Sequence, residues 1–93
     1  MKVTFPDSKI INRRFAYETS IETVERIGIE RIEKLHIKHL SLDLVSKIKD
    51  NFYTQHEISG GYLMLTHSST IKKKQQLDTI SDKLKLGLKV EVV

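Results

Sequence analysis

Tyr62-Leu63-Met64-Leu65-Thr66 is apolar on both faces of a pleat, and it constrains the fold more than any other stretch of the chain. A strand with two apolar faces has to run through the middle of a sheet, so the rest of the chain must supply its neighbours and its cover. Gly60-Gly61 breaks the chain just before it. After it, Ser69 or Thr70 can cap a helix that turns Leu77, Ile80 and Leu84 inward, and Gly87 stands where a left-handed C-terminal cap belongs. Leu88-Lys89-Val90-Glu91-Val92 then alternates as a strand with one wet face. The span between the two strands is long enough for a right-handed crossover, so the chain is expected to end in a βαβ unit with parallel strands.

The N-terminal half reads less sharply. Lys2-Val3-Thr4-Phe5 alternates and Pro6-Asp7-Ser8 is turn chemistry, which predicts an opening strand. Ile10-Ile11 and Phe15-Ala16-Tyr17 either return as a hairpin partner or wrap the core. Thr19-Ser20-Ile21-Glu22 has the form of a capping box, and Ile21, Val24, Ile27, Ile32 and Leu35 recur at helical spacing. The expectation is one continuous amphipathic helix from Ser20 to about Leu35, tolerating Gly28 at a cost of about 1 kcal/mol. Ser41 can cap a further helix, ending near Asn51, with Leu42, Val45, Ile48 and Phe52 on one stripe.

Ninety-three residues supply one core, hence a single domain over residues 1–93. The expected class is α+β: a small three- to four-stranded mixed sheet with three helices, in the order β-(β)-α-α-β-α-β, ending in the crossover.

With no cysteine, neither a disulfide framework nor a thiolate metal site is available. The N-terminus lacks the apolar stretch of a signal peptide and no apolar run approaches the ~20 residues of a membrane span, so a cytoplasmic protein without membrane contact is expected. A net charge of +4 favours polyanionic partners, nucleic acid first among them.

Three lysines, Lys72, Lys73 and Lys74, fall in the first turn of the last helix, where the macrodipole disfavours cations by about 0.3–1 kcal/mol each. Just before them, Ser68, Ser69 and Thr70 offer hydroxyls and backbone donors at the end of the central strand. Hydroxyls, a helix N-terminus and ammonium groups together make a phosphate cradle. A solvated charge run is the competing explanation. Arg13 and Arg14 are further candidates for phosphate contact. Most aromatic residues lie in apolar stretches; only Tyr17 and Tyr53 are candidates for exposed stacking.

Residues 21–35, with Gly28 flanked by apolar positions, resemble a helix-hairpin-helix motif, and the resemblance implies that backbone N–H groups at Gly28 contact DNA phosphates without reading sequence. Arg26 stands in place of the motif's first glycine and Ile32 in place of its usual small residue. His39-Leu40-Ser41 and His67-Ser68-Ser69 are similar to the paired motifs of 2H phosphoesterases, a family whose domain is much longer and two-lobed. His36 and His39 have i, i+3 spacing but no carboxylate or cysteine joins them in a metal-binding pattern. No catalytic role, metal or cofactor is therefore expected.

These observations point to a small nucleic-acid-binding protein, for DNA or RNA, that holds phosphates non-specifically. The alternative is a non-catalytic protein-interaction module, of inhibitor or immunity type, acting through a strand edge or helix face. Unpaired edges on Lys2–Phe5 and Leu88–Val93 make a homodimer plausible under either.

Overall fold

A computed structural model describes all 93 residues. Its elements are β1 (Lys2–Thr4), β2 (Ile10–Ile11), α1 (Ala16–Ile27), α2 (Ile29–Glu33), β3 (Lys38–His39), β4 (Leu42–Asp43), β5 (Val45–Ser46), β6 (Gln55–Glu57), β7 (Leu63–Leu65), α3 (Thr70–Leu84) and β8 (Lys89–Glu91). The class is α+β with three helices, as the sequence implies. The doubly apolar stretch is the middle strand of an antiparallel sheet ordered β5-β7-β6. A second antiparallel sheet, β2-β1-β8, brings the chain ends together, with Val3 opposite Ile11 on one side and Val90 on the other. β3 and β4 form a separate two-stranded ribbon.

The expected parallel crossover does not form. β7 and β8 belong to different sheets, and α3 links the two instead of crossing over one. The reason lies at the N-terminus: β1 takes β8 as an antiparallel partner, which also means that Lys2–Phe5 and Leu88–Val93 pair with each other and β1 is no free edge. Val3, Val24, Ile32, Leu44, Val45, Met64, Leu77, Ile80 and Val90 are buried together in one core. In it α1 packs on α3, α3 on β8, and α2 on β5.

Three local expectations are corrected. First, α1 begins at Ala16, ahead of the capping-box residues. Thr19 and Glu22 hold the approach to the helix: the Thr19 hydroxyl accepts the Arg13 backbone N–H at 2.9 Å, and the Glu22 carboxylate takes the Arg13 guanidinium in a bidentate pair. Second, the helix is not continuous to Leu35. At φ 120° and ψ 112°, Gly28 ends α1 and starts α2, in a region where a Cβ is strained and would also meet Arg31 Cδ at 3.3 Å. The helix after this glycine has five residues and leads to a strand, so the likeness to a helix-hairpin-helix is confined to the turn.

Third, no helix starts at Ser41. Leu40 and Ser41, at φ 55° and 64°, make a tight turn joining β3 to β4. Beyond β5 the chain runs through a loop fastened by Asp50, whose carboxylate accepts the N–H groups of Phe52 and Tyr53 at 2.8 and 2.7 Å. Ile48 and Phe52, expected to be buried, are 79% and 84% exposed.

These contacts set the acid response. Hydrogen bonds from the Tyr53 and Phe52 backbone hold the Asp50 carboxyl below its ordinary pKa, the Lys38 ammonium and His36 do so for Asp43, and the Arg13 guanidinium for Glu22. A carboxyl whose folded pKa is depressed contributes stability that is fully present above its unfolded value and lost as pH falls through the folded one. The melting temperature followed by circular dichroism should therefore be level from about pH 7 to 5 and fall below about pH 4. Asp50→Asn, which keeps the turn's acceptor but cannot titrate, should make that fall shallower.

Candidate functional site

Four segments that are distant in sequence converge on one open cleft of about 770 Å³: the start of α1, the β3–β4 turn, β6 with the residue before it, and the loop from β7 into α3. Its first wall is a stack. Phe15 caps α1 with no side-chain acceptor of its own, and the Glu18 carboxylate compensates by accepting the Phe15 N–H at 3.1 Å. This fixes Phe15 and Tyr17 with ring centroids 5.8 Å apart and planes within 10°. His56 lies parallel to Tyr17 on the far side, at 4.7 Å, and the Arg14 guanidinium sits 5.2 Å from the Phe15 ring centre. The inner end of the stack is anchored where His56 Nδ1 meets the buried Thr66 hydroxyl at 2.6 Å.

The other wall carries His67, whose ring tilts against Tyr53 at 5.1 Å, and His39, whose Nε2 lies 3.1 Å from the His67 carbonyl. A carbonyl can only accept, so that nitrogen of His39 bears the proton.

The β7–α3 loop is held from beneath by Lys73. Only 5% exposed, its ammonium donates to the Thr66 carbonyl at 2.9 Å, the Ser68 carbonyl at 2.6 Å and the Ser68 hydroxyl at 3.0 Å. Desolvation in that position draws its pKa below the usual lysine value. Ser69 caps α3 by accepting the Lys72 N–H at 3.1 Å, and Ser69 and Ser68 both face the cleft. The N–H groups of Thr70 and Ile71, at the first two positions of the helix, have no intrahelical partner.

The residues singled out in the sequence are thus divided by the fold. Ser68, Ser69 and Lys73 line the cleft, with Thr70 starting the helix behind them. Arg14 extends the stack. The three lysines do not form one cradle: Lys73 turns inward, Lys74 pairs with Asp78 at 2.6 Å, and Lys72 is exposed on another side of the helix, lining a separate groove. Arg13 is committed to Glu22, and Gly28 lies against Ser59, Gly60 and Tyr62 in a different depression. Phe15, His39, His56 and Thr66 were not foreseen as one site, because each comes from a different segment and no short spacing connects them. No three histidine, aspartate or glutamate side chains come together to hold a metal ion, and no helix is long and apolar enough to cross a membrane.

The chain matches no family model, no curated protein and no solved structure.

Proposed function

We propose that the cleft binds single-stranded nucleic acid, stacking a base on its aromatic wall and holding an adjacent phosphate at the α3 end of the loop. The observation that carries this reading is the run of stacked rings Phe15, Tyr17 and His56, in which Phe15, with the Arg14 guanidinium beside it, remains 48% exposed. Aromatic faces accept any base and lose little entropy on binding, which is why single-strand sites are built on them. The Ser68 and Ser69 hydroxyls line the same cleft, and the first N–H groups of α3, which have no intrahelical partner, follow Ser69 in the chain; both are donors suited to a phosphate. A net charge of +4 supplies the general attraction. Stacking and phosphate contacts carry no sequence information, so binding on this reading is independent of sequence.

The test is fluorescence anisotropy with labelled oligothymidylate, oligouridylate and a duplex, between 50 and 300 mM salt. Each neutralised phosphate of a single strand contributes about −0.7 to the log–log salt slope, and a short site holding one or two phosphates should give about −0.7 to −1.4. Phe15→Ala removes an exposed ring at little cost to the fold and should weaken single-strand binding by about ten- to a hundred-fold, the range for one stacked base. Binding equal to wild type in that variant, or none at 50 mM salt, rules the reading out and turns attention to protein partners of the exposed Ile48 and Phe52.

A further inference from the structure

On the opposite side of the α3 N-terminus from the cleft lies a groove of about 380 Å³, between that helix and the segment 35–38. Lys72, Gln76, Thr79 and Lys83 line it, at the i, i+4, i+7, i+11 spacing of one helical stripe. Gln76 is 6% exposed, and its Nε2 is buried with no hydrogen-bond partner. A buried amide donor left unpaired destabilises a fold, so its retention needs a reason. No carboxylate lines the groove. His36 and Lys38 on the opposite rim are both held by Asp43, at 3.4 and 2.7 Å, whereas Lys72 and Lys83 form no ion pair.

We propose that this groove is an oxyanion site for a phosphate group, with Gln76 Nε2 donating to one oxygen and the ammonium groups of Lys72 and Lys83 neutralising the charge. An amide donor alone would bind a carbonyl as readily as an anion; two cations that form no ion pair, in a groove that no carboxylate lines, select the anion. The groove also accounts for Lys72, which stands at the positive end of the α3 macrodipole, where local stability disfavours it. Gln76 Nε2 has no accessible surface of its own, so the ligand engages it once the amide turns toward the groove that its side chain lines. The site stands on the groove itself and does not need the cleft to hold a base. The phosphate belongs either to a nucleic-acid backbone or to a free phosphate monoester; the chemistry of recognition is the same.

The experiment follows the Gln76 side-chain amide by ¹⁵N NMR while inorganic phosphate is added at constant ionic strength, with chloride as control. The expected result is a saturable shift of that NH₂ pair with phosphate and not with chloride, and at least ten-fold weaker phosphate binding in Gln76→Met. Lys83→Met, an exposed substitution that spares the core, should also weaken phosphate binding several-fold, so the proposal is tested even if the glutamine variant fails to fold. An arm with oligothymidylate separates the sources: the same shift assigns the phosphate to a backbone, and its absence, with the phosphate response intact, assigns it to a free monoester. A Gln76 amide that responds to neither probe, or phosphate affinity unchanged in Lys83→Met, overturns the proposal. Phe15→Ala should leave the phosphate response as it is, so loss of stacking in the cleft and loss of this site are read separately.

Discussion

Ile80→Ala should lower the melting temperature by about 15–25 °C, the largest effect expected of any single truncation in this chain. Ile80 is fully buried, on the face of α3 that belongs to the common core with Val3, Val24 and Val90. Removing its outer carbons loses their transfer energy and leaves a cavity, together about 3–4 kcal/mol at a site that cannot collapse. In a domain of this size each kcal/mol moves the midpoint by roughly 4–8 °C. The position is sensitive because α3 is the strut between two sheets that share no hydrogen bond: it follows β7 of one sheet and packs on β8 of the other. Ile80→Val, which keeps most of the side chain, should cost only about 0.5–1.5 kcal/mol. Thermal unfolding by circular dichroism measures both. A drop of a few degrees in the alanine variant would mean that the sheets are joined by other contacts.

α3 was also the part of the fold most legible in the sequence. Ser69 at its cap, Leu77 and Ile80 on its inner face, the doubly apolar β7 before it and the alternating β8 after it are local patterns, and local patterns formed as written. Its end was misplaced by two residues: Lys85, at φ 55°, already forms the left-handed cap, and Gly87, also at positive φ (67°), makes room beyond it for Pro6, whose Cγ a Cβ would meet at 3.3 Å. The middle of the chain was misread for a physical reason. A two-residue hairpin with both turn residues at positive φ is ordinarily written with asparagine or glycine, and here it is written Leu40-Ser41. With that signal missing, Ser41 read as a helix cap and Leu42, Val45, Ile48 and Phe52 as a helical stripe, though Val45 alone of the four is buried.

The cleft was legible only in fragments. Ser68, Ser69 and Lys73 lie within six residues of one another and were named together. Tyr17 was singled out for stacking, but its partners Phe15 and His56 are brought to it by the turn of α1 and by the pairing of β6 with β7. His39 and His67 resemble paired motifs in the sequence, and they do meet, through an imidazole on a carbonyl. Ser41, however, faces a different cavity from Ser69, so the two serines do not join them.

Lys73→Met, finally, should lower the melting temperature by about 5–15 °C while the same change at Lys72 or Lys74 moves it little. Three adjacent lysines look equivalent in the sequence, but one turn of helix sends each to a different fate. Methionine has about the right length for the buried position, so the change removes the charge without opening a large void. What it leaves behind is the Ser68 carbonyl without a donor in a part-buried loop, while the Thr66 carbonyl loses the ammonium but keeps the Ser68 N–H at 2.9 Å. At about 1–3 kcal/mol for the unsatisfied group, partly offset by no longer desolvating an ammonium, the net loss is about 1–2 kcal/mol. Lys74→Met forfeits a helix-surface pair with Asp78, worth about 0.3–0.5 kcal/mol, and Lys72→Met removes a cation from the wrong end of the dipole. Changing all three at once would therefore confuse loss of a phosphate contact with loss of the loop that shapes the cleft; Lys72 alone tests charge, and Lys73 alone tests the loop. Equal melting of the Lys72 and Lys73 variants would mean that the Lys73 ammonium does not hold the loop, and would return it to the set of cations available to a ligand.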